Sequence, residues 1–156
     1  MINWVWFWLV LLTPGIALAH CDVPCGIYSP WIATLAAKTV WTMVKKMLDL
    51  KQPGDHASDV DVTAYHNTVM RMVRVKEDHA ETCKRELQIL WSDYFKPEHL
   101  VMFPKLHDQF WSTLKLCSKN KQNVDLAAAE SLQTEVGKIA KVFDEAEEAK
   151  RQAAAK

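Results

Sequence analysis

Between Ser58 and Pro97 the chain reads SDVDVTAYHNTVMRMVRVKEDHAETCKRELQILWSDYFKP. Val62, Tyr65, Val69, Met72, Val73, Ala80, Cys83, Leu87, Leu90, Trp91 and Tyr94 continue a helical period through it, which puts them on one face of a long helix. Ser58 or Asp59 can cap its start, because a short oxygen side chain accepts from an unpaired backbone N–H there. The helix should stop near Lys96-Pro97, since the residue before a proline is held out of the α region.

The flanking segments repeat the pattern. Upstream, Ser29-Pro30 is a helix start, with serine as cap and proline tolerated at the first helical position. Ile32, Leu35, Ala36, Thr39, Val40, Met43, Met47 and Leu50 then form one apolar face, and Gln52-Pro53-Gly54-Asp55 ends the helix. Downstream, a third helix carries Leu100, Phe103, Leu106, Phe110, Leu114 and Cys117, with Pro104 in its first turns setting or kinking its start. Ser118 to Asn123 is a polar turn. Asp125 can cap a fourth helix whose face is Leu132, Val136, Ile139, Ala140 and Phe143. The alanine- and charge-rich tail from Glu145 to Lys156 is expected to fray. Four amphipathic helices with short connections predict an all-α protein, an antiparallel up-and-down four-helix bundle over residues 29–156. Only 4 glycines and a second half rich in Ala, Leu, Lys and Glu agree with that class.

The whole chain, 156 residues, is long enough for one domain with a real core. Lys+Arg and Asp+Glu both number 19, so no large basic field exists to attract nucleic acid. Residues 1–19 carry no charged side chain. Trp4 to Leu12 is a continuous apolar run, Pro14-Gly15 breaks it, and Ala17-Leu18-Ala19 fits the small-x-small pattern before a signal-peptidase cut. The run is short for a bilayer span, so the segment reads as a cleavable, signal-like leader, although its start lacks Lys or Arg. Left uncleaved it would be a hydrophobic anchor; once removed, no stable membrane contact is expected. A secretory leader implies export to periplasm, lumen or medium; any other leader leaves the protein cytoplasmic. The 4 cysteines permit disulfides in an exported chain, with three possible pairings. Cys83 and Cys117 fall within helical patterns and read as small buried hydrophobes, with a mutual disulfide as the alternative.

The other two cysteines lie in His20-Cys21-Asp22-Val23-Pro24-Cys25-Gly26-Ile27-Tyr28, which begins where the leader stops. A cut after Ala19 frees a primary amine on His20. Residues 20–28 then offer an amine nitrogen, an imidazole, a backbone amide and two thiolates to a single ion. Such mixed nitrogen and sulfur donors suit a late first-row metal of tetragonal geometry, nickel or copper before zinc. Pro24 restricts the turn between the two sulfurs, and Gly26 lets the chain leave without a Cβ clash. The plainer reading is a small disulfide loop beside an incidental N-terminal histidine.

His-Cys-Asp-X-Pro-Cys-Gly-X-Tyr at a processed N-terminus resembles the hook of the nickel superoxide dismutases. A second match lies in Leu90-Trp91-Ser92-Asp93-Tyr94-Phe95-Lys96-Pro97, followed by His99, Pro104, Leu106 and His107. The resemblance runs, with gaps, from His20 to about Phe143. It implies a four-helix bundle assembled as a homohexamer, each hook packing on a neighbouring subunit, and a protease that removes the leader. It implies one nickel ion per subunit, bound by the His20 amine and imidazole, the Cys21 amide nitrogen and thiolate, and the Cys25 thiolate. The implied reaction turns superoxide into dioxygen and hydrogen peroxide by Ni(II)/Ni(III) cycling. A cis Val23–Pro24 bond is implied as well.

By the same resemblance Tyr28 covers the open metal face and gates it, where the plainer role is a phenol packing the hook onto the first helix. Tyr94 supports the Tyr28 hydroxyl from the bundle. Lys96 adds positive potential on an anion's approach, or is an ordinary cation at a helix C-terminus. Asp22 anchors the hook by hydrogen bonding, or is a solvated turn residue. Ser29 stands where an aspartate is usual, and Ala36 and His79 stand where a glutamate and an arginine steady the axial imidazole in bacterial members. His79 either contacts His20 or is a surface histidine. His56, His66, His99 and His107 have no ligand-like spacing and read as surface or packing residues. Two other functions compete: a non-enzymatic nickel or copper carrier using the same hook, and a secreted disulfide-stapled bundle acting through protein contacts.

Overall fold

The computed structural model describes residues 25–155, which are helical apart from short connections, with no strand among them. Helix α1 spans Trp31–Asp49, α2 Asp59–Ile89, α3 Pro97–Met102, α4 Leu106–Gln122 and α5 Leu126–Ala154. A single π-helical turn, Leu90–Tyr94, continues α2. The long helices form an antiparallel four-helix bundle, in which α1 packs on α2 and α5, and α4 packs on the same two. At 1.5 Å per residue α2 is about 46 Å long and outreaches α4.

The helix starts follow local chemistry. Ser58 Oγ accepts from the Asp61 N–H at 3.2 Å, and Asp61 Oδ2 accepts from the Ser58 N–H at 3.3 Å, a reciprocal capping box. Asp125 Oδ1 accepts from the Ala128 N–H at 3.0 Å. Ser29 Oγ accepts from the Trp31 N–H at 3.2 Å, so α1 begins one residue after Pro30.

Leu87, Leu106, Phe110, Leu132, Val136 and Ile139 make up the middle of the core. Each fully buried side chain of this kind contributes about 1.5–3 kcal/mol of hydrophobic stabilisation. Cys83 and Cys117 sit there as thiols, both 0% exposed. A hydrogen bond with Cys117, then burial, pushes the Cys83 pKa up.

Four sequence expectations are corrected, the first being the polar turn at Ser118 to Asn123, which is helical as far as Gln122. The buried stripe of α1 is Ala33, Ala36, Ala37, Val40 and Val44, while Ile32 and Leu35 are 45% and 47% exposed. Small residues let α1 approach α2 and α5 closely, so packing overrides side-chain hydrophobicity. The expected third helix is split. Phe103, before Pro104, takes φ −128° and ψ 75°, out of the α region as that position demands, and α3 and α4 are separate. The C-terminal tail does not fray at Glu145: α5 runs to Ala154. Ala146 is buried, and Glu147–Lys150 and Glu148–Arg151 pairs support the last turns.

At the end away from Tyr94, α4 finishes against α2. The Lys76 side chain is only 2% exposed, and its ammonium donates to the carbonyls of Asn120, Lys121 (2.8 Å) and Asn123 (3.1 Å). These lie in and just beyond the last turn of α4, where carbonyls lack helical donors and a cation is favourable. Burial pushes the Lys76 pKa down, and Glu77 partly opposes that.

Candidate metal centre

An even number of antiparallel long helices brings the start of α1, the end of α2 and the end of α5 to one end of the bundle. Tyr28, Tyr94 and Lys96, of the expected site, line one cleft there, next to Cys25. His20, Cys21 and Asp22 lie outside the described residues, as do residues 1–19 and the Val23–Pro24 bond. Cys25 is described and exposed. Its sulfur accepts from the Ile27 N–H at 3.4 Å and donates to the Ile27 carbonyl at 3.8 Å. Gly26 has φ +69°, and a Cβ built there meets no described atom within 4 Å. Among the described atoms, this position calls for glycine because of its left-handed backbone; the clash expected from sequence is not what decides it.

Tyr28 comes next and is half-buried on the core. Its ring lies 5.6 Å from that of Tyr94, centroid to centroid, at an interplanar angle of 57°. Tyr94 is 8% exposed and is held on several sides. Phe143 is 4.4 Å from its ring, Phe95 stands edge-on at 4.9 Å, and His99 stacks at 5.7 Å. The π turn sets this up. The Phe95 N–H reaches back to the Leu90 carbonyl at 3.0 Å, and the wider turn re-aims the side chains at the end of α2, as π turns at functional sites do.

The Tyr94 hydroxyl donates to Glu147 Oε1 at 2.8 Å. Burial raises the Tyr94 pKa, and the Glu147 carboxylate raises it further. The same hydrogen bond, more than any other interaction, lowers the Glu147 pKa. Tyr94 therefore keeps its proton, engaged by Glu147. It meets Tyr28 ring to ring.

Lys96 is exposed at the start of α3. Its backbone N–H donates to His99 Nδ1 at 2.9 Å, and the His99 N–H returns a bond to the Lys96 carbonyl at 2.9 Å. His107 Nδ1 accepts from the Trp91 indole N–H at 2.8 Å. Both histidines are thus packing residues, as expected, but His99 also faces the site. A cleft of about 500 Å³ is lined by Gly26, Tyr28, Tyr94, Lys96, His99 and Lys150, among others. Asp93 and Glu98 line it too, so any attraction for an anion arises from where the two lysines stand, because their charges are balanced. Ala36 is buried in the core, and the half-buried His79 donates from Nδ1 to its own helix, at the Val75 carbonyl, 2.8 Å away.

Among the described residues no three His, Cys, Asp or Glu side chains gather as a metal-binding group. Cys25 is the described member of the expected ligand set. An exposed thiol at a left-handed turn, beside a ring-packed phenol and an open cleft, fits a soft, partly covered metal. Thiolate and amine donors suit nickel. Sequence reading missed Glu147, Lys150 and His99 as site residues. His99 was visible in the downstream motif; Glu147 and Lys150 sat in what looked like a charged tail, with no local signal.

Comparison with known proteins points the same way. The sequence profile of the family described as nickel-containing superoxide dismutase matches residues 15–147. The protein named Superoxide dismutase [Ni] of Streptomyces coelicolor is 34% identical over 140 residues, covering 89% of this chain and 97% of that protein. The one of Streptomyces seoulensis is 34% identical over 131 residues, covering 84% and 90%. A native nickel superoxide dismutase structure superposes with a TM-score of 0.68 at 34% identity, over 82% of this chain and 99% of the other. A structure whose nickel ligation is described as that of the oxidised state gives 0.69 at 32% identity, over 83% and 99%.

Proposed function

This chain belongs to the nickel-containing superoxide dismutase family, and we propose that it works through His20, Cys21 and Cys25 as nickel ligands, with Tyr28 over the open face. Its reaction converts two superoxide ions and two protons to dioxygen and hydrogen peroxide. Nickel, when bound, supplies the one-electron exchange that both halves of the reaction need. The carrier reading finds no support among the relatives, which are named as dismutases.

The observation that carries this assignment to residues is the Tyr28–Tyr94 contact at the mouth of the cleft beside Cys25 and Gly26. A side chain packed this way would screen the metal segment from the cleft by which an anion approaches. Lys96 and Lys150 line that route and favour an anion locally. Tyr94 keeps its proton in the hydrogen bond to Glu147, so the protons delivered to product come from water ordered near Tyr28 or from the thiolate side. Asp22 would hold the segment by hydrogen bonding close to Cys21.

Leader removal belongs to the same proposal. An acylated His20 has no amine to offer, so a protease that cuts after Ala19 switches the site on. A signal-like leader goes with export, and a leader read by another protease goes with the cytoplasm. Ile27, Trp31, Ile32 and Leu35 stand exposed around the start of α1. This apolar surface beside the site supports a homohexamer in which a neighbour covers it.

The test compares leader-free protein with the uncleaved chain, both nickel-loaded, by superoxide decay and electron paramagnetic resonance. Fast decay and a rhombic signal with axial nitrogen splitting are expected only from the leader-free form. Equal activity from the uncleaved chain would remove the His20 amine from the ligand set.

A further inference from the structure

We propose that Glu147 is a positioning residue of the dismutase site, acting through Tyr94 on Tyr28, so that the last turns of α5 form part of the site. This rests on the reading above that Tyr28 stands over the metal segment.

The Tyr94 ring is wedged by Phe143, Phe95 and His99. Those contacts act on the faces and edge of the ring. The hydroxyl adds a constraint at its far end, against swinging about χ1, and its acceptor is Glu147 Oε1 at 2.8 Å. A phenol bonded to a carboxylate makes a charge-assisted bond, stronger than one between neutral groups. The acceptor itself is held in place. Ala146, its neighbour, is 2% exposed and locks α5 against the core, and Lys150 Nζ lies 3.4 Å from the same Oε1. Tyr28 rests on the ring so positioned.

A carboxylate beside the path of an anionic substrate would ordinarily repel it. Here its charge is taken up by the Tyr94 hydroxyl and Lys150, and Glu147 is not among the residues lining the cleft. The other ionisable side chains near Tyr94 are Asp144 on α5, Asp93 on the π turn, and Lys96, Glu98 and His99 at α3. The Tyr94 hydroxyl bonds to Glu147 rather than to any of these.

The test uses leader-free protein with ring-labelled tyrosine, read by NMR without metal and by superoxide decay with nickel. Glu147→Ala should shift the Tyr94 and Tyr28 signals together and lower kcat/KM by about fivefold, the worth of one positioning hydrogen bond. Glu147→Gln keeps an acceptor and should restore both to near the original. Tyr94→Phe removes the same bond from the other side. The double variant Glu147→Ala with Tyr94→Phe should be no slower than the slower single, since the bond can be lost only once. If Glu147→Ala moves neither Tyr28 nor the rate, the inference is overturned. It is also overturned if Glu147→Gln is as impaired as Glu147→Ala, or if the double variant loses the product of the single effects. A nickel-loaded original protein without dismutase activity would instead overturn the assignment of function, and the NMR arm would still decide the positioning role.

Discussion

At one end of the bundle Lys76 sends its ammonium into the carbonyls at the end of α4; at the other, Tyr94 sends its hydroxyl to Glu147 near the end of α5. Both are side chains of the α2 segment reaching another helix's C-terminal region. The acceptors differ. Backbone carbonyls are supplied by any sequence, so the far end asks only that position 76 be a lysine. The near end needs a matched pair of side chains, and one of its members faces a cleft. At the far end the Lys76 ammonium is spent on structure, buried against backbone carbonyls. The near end keeps lysines and a thiol turned to solvent, beside a half-buried histidine. Stability and chemistry should therefore separate along the length of the bundle.

The sharpest way to break that separation is Cys25→Ser. It should abolish nickel binding and reduce superoxide decay to background. Cys25 is exposed, so the melting transition of the metal-free protein should move by no more than about 0.5 kcal/mol. A large loss of stability would show that the hook also holds the bundle together.

Lys76→Met should do the reverse. It leaves three carbonyls at the end of α4 without their donor, and should cost about 3 kcal/mol of stability in urea unfolding. Decay rate per bound nickel should be unchanged. Next in size is the alkaline limb. The folded-state pKa of Tyr94 is raised, so the stabilisation it gives is complete below the unfolded phenol value near 10. It is lost progressively as pH rises above that, and Tyr94→Phe should flatten the fall in Tm. Glu147, whose pKa is lowered, adds a smaller loss on the acid side, as pH falls from the ordinary glutamate range through its own value. The smallest effect expected is for Lys96→Gln, a decrease in kcat/KM of about two- to threefold with a weaker dependence on ionic strength. Loss of kcat with an unchanged salt dependence would make Lys96 something other than a steering charge.

Much of this was legible because it is local. The Ser58 cap, the Asp125 cap and the period of α2 need only neighbouring residues to be read. What escaped needed knowledge of neighbours in space. Ala33, Ala36 and Ala37 are poor hydrophobes on any scale, and only the close approach of other helices makes them the buried stripe of α1. Lys76 is charged, and only the end of α4 makes a core position tolerable for it. Glu147 was one acid among several in a tail, until the fold set Tyr94 beside it. The split at Pro104 was half legible: proline announced a disturbance, and whether it kinked or broke the helix depended on where α4 had to start to pack on α2.

Gly26 and Tyr28 near the beginning of the described chain, and Lys150 and Ala153 near its end, line one cleft. Anyone producing this protein meets that fact at the bench. An affinity handle fused just after α5 would be tethered beside that cleft, and on the proposed reading one left in front of His20 would block its amine. The connection between α1 and α2, around Gly54 and Asp55, lies at the opposite end of the bundle, and is the place to put a purification tag, a fluorophore or a surface linker.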